Sequence, residues 1–127
     1  MRKTITPAGI APPASHYPHA VLTTAPNAFL HLSGQLGERP DGSISGDAKE
    51  QALQAWANIE VILEEGGMTI GDIVKVTSYI VGREHIPAYV EAHKQAVGDD
   101  APPWTLLLVD GLGAPEYLVE VDVEAMA

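Results

Sequence analysis

Cysteine is absent from this 127-residue chain, which excludes disulfides and thiolate chemistry. No apolar run approaches the roughly 18 residues that a membrane span needs. The stretch "MRKTITPAGIAPP" carries charge with no apolar segment behind it, so it does not read as a signal peptide. These absences predict a cytoplasmic protein with no membrane partner. Basic residues are scarce as well: Arg2, Lys3, Arg39, Lys49, Lys75, Arg83 and Lys94 are the whole set, against a net charge of −10. They are scattered without a stripe, and such a surface repels a phosphate backbone, so nucleic-acid binding is disfavoured. From Gln95 onward there is no Lys, Arg or His, while Asp99, Asp100, Asp110, Glu116, Glu120, Asp122 and Glu124 fall in that stretch. Internal repeats, low-complexity segments, a phosphate-cradling Gly motif and a nucleophile elbow are also missing.

What is present reads as one domain over residues 1–127. A chain of this length buries roughly two-thirds of its unfolded surface, enough for one core. Residues 7–19, "PAGIAPPASHYPH", read as a Pro-rich extended arm. The runs at 20–25 and 28–35, parted by Pro26-Asn27, read as a hairpin. Asp47 with Glu50 three residues on has capping-box spacing. Ala52, Ala55, Ile59, Ile62 and Leu63 then recur with helical period until Gly66-Gly67. A strand over 72–82 follows, then a helix over 83–98 with Pro87 in its first turn. Strands at 104–110 and 117–127 complete the chain. The order β-β-β-α-β-α-β-β predicts an α+β two-layer sandwich, two helices against one sheet of five or six strands. In the last strand Val119, Val121, Val123 and Ala125 share one face. Glu120, Asp122 and Glu124 share the other with Leu118. That mixed face predicts cover by neighbouring subunits in a ring-like homo-oligomer.

Few residues point to chemistry. The three carboxylates read either as a solvated face or as a desolvated group that activates water. "SGQLG" reads either as a strand exit that needs positive φ at Gly34 and Gly37, or as exposed backbone near Gly34 that binds a small planar or anionic group. His16 and His19 in the arm lack a third ligand at metal spacing, so no metal site is expected. Ser15 and His16 are sequence neighbours and do not read as a hydrolase pair. Pro102 and Pro103 place a strand start at Trp104, which reads as a core or interface residue.

Four blocks, "HYPHAV", "LSGQLG", "QALQAWANIEVILEEGGMTIGDIVKVTSYI" and "PEYLVEVDVEAMA", together resemble the reactive intermediate deaminase (Rid, YjgF) family from about residue 5 to residue 127. The resemblance implies a chorismate-mutase-like sandwich in homotrimers with clefts between subunits. It implies cofactor-independent hydrolysis of enamine and imine metabolites to keto acids and ammonia. Carried over by position, it places the arm tyrosine on Tyr17, the strand-end backbone on Ser33 and Gly34, and the water-holding glutamate on Glu120, with Asp122 as the alternative. The arginine that clamps the substrate carboxylate falls on Trp104, so the chain resembles an arginine-lacking subgroup. Indole offers one neutral N–H where guanidinium offers a charged fork. The expectation is therefore a cleft with Trp104 partly exposed, in reach of Tyr17 and Glu120 across a subunit boundary, taking a neutral or aromatic imine-type metabolite. A non-catalytic small-molecule binder is the rival reading, and an RNA-acting protein a third that the charge opposes.

Overall fold

A computed structural model describes residues 1–127. The first helix, α1 (Ala48–Glu65), starts where its cap predicts: the Asp47 carboxylate accepts from the Glu50 N–H at 3.0 Å. The return half of the capping box is replaced. Glu50 accepts instead from the Ser45 hydroxyl at 2.6 Å, and that hydroxyl accepts from the Asp47 N–H at 3.0 Å. Gly67 at φ +73° closes the other end. Ala52, Ala55, Trp56, Ile59 and Leu63 form its buried stripe, with Ile62 at the margin. The second helix, α2 (Ile86–Val97), is shorter than the predicted 83–98. Residues Arg83–His85 make a 3-10 turn, and Gly98 at φ +66° ends the element.

The strands are β1 (Arg2–Ile5), β2 (Ala20–Thr23), β3 (Phe29–His31), β4 (Gln35–Leu36), β5 (Ile73–Ile80), β6 (Trp104–Leu108) and β7 (Val119–Met126). The five-stranded sheet runs β3-β7-β5-β6, with β4 also pairing along β7. Only β5 and β6 are parallel, joined through α2 as a crossover. The expected hairpin of residues 20–25 with 28–35 does not form. β2 pairs with β1 in a separate two-stranded ribbon, Arg2 opposite Thr23 through Ile5 opposite Ala20. The cause is local. Ala25 adopts φ +49°, Pro26 has no N–H, and the N–H groups of Asn27 and Ala28 both donate to the Ala127 oxygen at 2.8 and 2.9 Å. The chain thus leaves β2 and is captured by the end of β7.

Both helices cover one face of the sheet. Val119, Val121, Val123 and Ala125 of β7 and Val76, Ser78 and Ile80 of β5 are buried beneath them. A register shift between Ile73 and Lys75 turns Lys75 to the opposite, open face while Ile73 stays buried. That open face carries Lys75, Thr77 and Tyr79 from β5, Thr105 and Leu107 from β6, and Glu120, Asp122 and Glu124 from β7.

Candidate functional site

On the open face the register sets the neighbours of each carboxylate. Glu120 lies opposite Leu36 of β4 on one side and Tyr79 of β5 on the other; Asp122 lies opposite Thr77, and Glu124 opposite Lys75. Glu120 and Asp122 are half-buried, whereas Glu124 is exposed and sits 3.4 Å from His31 Nδ1. The Glu120 side chain lies against Gly34, close enough that a Cβ there would come 2.8 Å from its Cδ. The Ser33 carbonyl accepts from the Gln35 side-chain amide at 2.9 Å, which steadies the Ser33–Gly34 peptide. Lys75 brings an ammonium to this face, donated to the Thr105 hydroxyl at 2.7 Å. Neither Gly34 nor Gly37 has positive φ. Each is instead a place of close approach: a Cβ at Gly37 would stand 2.8 Å from the Gln51 carbonyl carbon. Gln51, fully buried, ties this region together. Its amide donates to the carbonyls of Ser45 and Glu116 at 2.7 and 2.9 Å, and its oxygen accepts from the Leu118 N–H at 2.9 Å.

Trp104 lies elsewhere. It pairs in register with Val76, whose side chain faces the helices, so strand alternation sends the indole under α2. The ring is 8% exposed. Its N–H donates to Ser78 Oγ at 2.9 Å, and Ser78 Oγ in turn hydrogen-bonds the Tyr89 hydroxyl. His93 stacks on it with centroids 3.9 Å apart and 14° between planes. Tyr17 meets it edge-on at 5.7 Å, and His16 lies 6.0 Å away. Burial pushes the His93 imidazole down to about 3, with the nearby His16 adding to the effect. Burial likewise lowers His16, helped by Lys94, and drives the Tyr89 hydroxyl above its ordinary range against the pull of the Ser78 bond.

The structure therefore brings Tyr17 together with Trp104, and Ser33 and Gly34 together with Glu120 and Asp122, but places the two groups on opposite sides of the sheet within one chain. The expectation of a partly exposed Trp104 is corrected: the alternation along β6 turns the ring inward, where it is buried. Tyr89, Ser78 and His93 were missed as its partners. The four-residue spacing of Tyr89 and His93 on one face of α2 was the signal for them. His16 and His19 turn to separate partners, the Ser15 hydroxyl at 3.1 Å and the Ala11 carbonyl at 2.7 Å.

Residues 9–127 match a protein-family model described as endoribonuclease L-PSP. A RutC family protein of Aquifex aeolicus is 44% identical over 81 residues, which span 63% of this chain and 62% of that relative. A 2-iminobutanoate/2-iminopropanoate deaminase of Dermatophagoides farinae is 31% identical over 68 residues, 52% of this chain and 53% of the other. The crystal structure of a Rid-family protein of unknown function, YyfB of Yersinia pestis, superposes with a TM-score of 0.86 at 26% identity, covering 99% of this chain and 98% of that one. No helix is long and apolar enough to cross a membrane.

Proposed function

This chain belongs to the Rid (YjgF) family, and on that premise we propose that it binds and hydrolyses a small imine- or enamine-type metabolite in clefts between the subunits of a homotrimer. The observation that carries the reading is the half-buried Glu120 carboxylate lying on Gly34 at the sheet face that the helices leave open. In that place Glu120 accepts a hydrogen bond from water and takes its proton as the water oxygen attacks the imine carbon. That proton passes to the nitrogen to give the tetrahedral adduct; its hydroxyl proton is then carried to the nitrogen by the same carboxylate, the C–N bond breaks, and ammonia leaves as the carbonyl forms. The adjacent Ser33–Gly34 backbone and Asp122 orient the substrate. In that assembly Tyr17 borders the cleft from a neighbouring protomer, with the buried Trp104 packed behind it. The chain acts as one domain, and this hydrolysis draws on side chains and water alone.

The substrate class follows from charge. The indole N–H of Trp104 is committed to Ser78 and the Lys75 ammonium to Thr105, while Glu120, Asp122 and Glu124 share the open face. A substrate carboxylate would meet three negative groups without a free guanidinium to clamp it, so a neutral or aromatic imine fits better. The same observation favours a second reading, a binding module that holds such a molecule without turning it over. The net charge of −10 weighs against action on RNA. Imines generated in the cuvette, a carboxylate-bearing one from phenylalanine by an amino-acid oxidase and a neutral one from benzylamine by a flavin amine oxidase, test the readings through ammonia release. Release above the uncatalysed rate, faster from the neutral imine, supports hydrolysis. Saturable binding of the neutral imine with no ammonia above the uncatalysed rate supports the binding module, and release from the phenylalanine-derived imine as fast as from the neutral one overturns the charge argument.

A further inference from the structure

We infer that Gly34 is the positioning residue for the Glu120 carboxylate: the missing Cβ at position 34 is what allows that carboxylate to lie down along β4. The inference rests on Glu120 as the water-holding group. Gly34 has no conformational need to be glycine, because the positive-φ glycines are Gly42, Gly67, Gly82 and Gly98. Its need is spatial. A Cβ there would overlap Glu120 Oε2 and stand 2.8 Å from Cδ and 3.1 Å from Cγ.

The contrast with Gly37 shows what would yield. At Gly37 the obstacle is the main chain of α1 at Gln51, which cannot step aside. At Gly34 it is the far end of one flexible side chain. A methyl group at 34 therefore leaves the fold in place and evicts the carboxylate. Register shows the direction of the present lean. Leu36 is level with Glu120 and Gln35 with Val121, so the next step puts Gly34 level with Asp122. The Glu120 carboxylate thus reaches along its own strand toward Asp122 and the Ser33–Gly34 peptide, and the Gln35 amide bonded to the Ser33 carbonyl holds that peptide still. Glycine at 34 sets where the attacking water is held relative to the peptide that orients the substrate.

The test compares the wild type with Gly34→Ala, Glu120→Asp and the double variant. One measurement needs no turnover: carboxyl NMR of protein carrying labelled glutamate, with the Glu120 signal assigned by Glu120→Gln. Gly34→Ala is expected to keep its melting temperature within about 4 °C and to move the Glu120 carboxyl resonance. On the neutral benzylamine-derived imine, kcat should fall by about a hundredfold with little change in KM, as for a reacting group displaced by an ångström. Shortening the carboxylate by one methylene withdraws the oxygen of closest approach and eases the overlap, so the double variant should lose less than the two single losses multiplied together. A folded Gly34→Ala with an unmoved Glu120 signal overturns the inference. So does a double variant that fails to fold, since Glu120 is then not what the glycine avoids. A wild type without ammonia release overturns the hydrolytic reading alone, and the NMR result still decides the positioning.

Discussion

Trp104 and His93 stack face to face, 3.9 Å between ring centroids, and neither nitrogen of that imidazole has a hydrogen-bond partner. The imidazole is therefore held neutral, walled by Trp56, Tyr89, His16 and Trp104. Three consequences for stability follow from this column and from the Gln51 junction, and a fourth concerns assembly.

Stability should fall in acid. His93 has a folded value of about 3, below its unfolded value near 6.5, so between those limits the unfolded chain binds a proton that the folded chain refuses. The loss begins as pH drops through about 6.5 and amounts to about 1.4 kcal/mol per pH unit, or about 3 kcal/mol by pH ~4.5. His16 is shifted in the same direction. His93→Phe keeps the stack and removes the titration. The stability difference between this variant and the wild type should widen by about that amount between neutral pH and pH ~4.5, at fixed protein concentration. A difference that stays constant would mean that His93 is solvated.

Trp104→Arg should be severely destabilised. The guanidinium would enter a space lined by His93, Tyr89 and Ser78, with no carboxylate among them, and an unpaired buried charge costs several kcal/mol. Trp104→Phe keeps most of the apolar area and gives up the Ser78 bond, at about 1–2 kcal/mol. Denaturant melts of both variants check the order. An arginine variant as stable as the wild type would show that position 104 opens onto the cleft, and a gain of iminoacid hydrolysis by it would place a clamp there.

Gln51→Leu should loosen both loops that flank the open face. The substitution strands the carbonyls of Ser45 and Glu116 and the Leu118 N–H, at about 1–3 kcal/mol for each group left unpaired away from water. Faster hydrogen exchange at the Leu118 amide, with the interior of α1 still protected, is the expected signature. Unchanged exchange at Leu118 would show that water takes over the role of Gln51.

The open sheet face should be covered in solution. Leu107, on the edge strand β6, is 44% exposed on this face, across β5 from the half-buried Glu120. Sedimentation is expected to give a trimer at micromolar concentration. A monomer would remove the shared clefts and with them the proposed site.

Local chemistry made much of this legible from the residues. Asp47, Gly66-Gly67 and Pro87 bound the helices because caps and turns act within a few residues. The alternation of valines with carboxylates along β7 separated its two faces correctly. Partnership was less legible. β2 turned to β1 because of the backbone at Ala25–Ala28 and a hydrogen-bond acceptor a hundred residues away. The face of Trp104 depended on which β5 residue it opposed, and a strand's own sequence carries parity but not register. Gly34 was readable as special, yet its reason, a side chain arriving from Glu120, existed only once β4 met β7.

The position of β7 has a consequence for how the chain is made. It follows every other helix and strand along the chain, yet it lies inside the sheet, between β3 and β4 on one side and β5 on the other. On a ribosome the earlier strands and the buried faces of α1 and α2 must wait, unpaired, for residues 119–126 to emerge. Pairings between residues so distant in sequence close large loops and form slowly. The nascent chain thus has a long window in which its apolar surfaces are open to chaperones, and loss of residues 119–126 would cost the whole sheet rather than one edge.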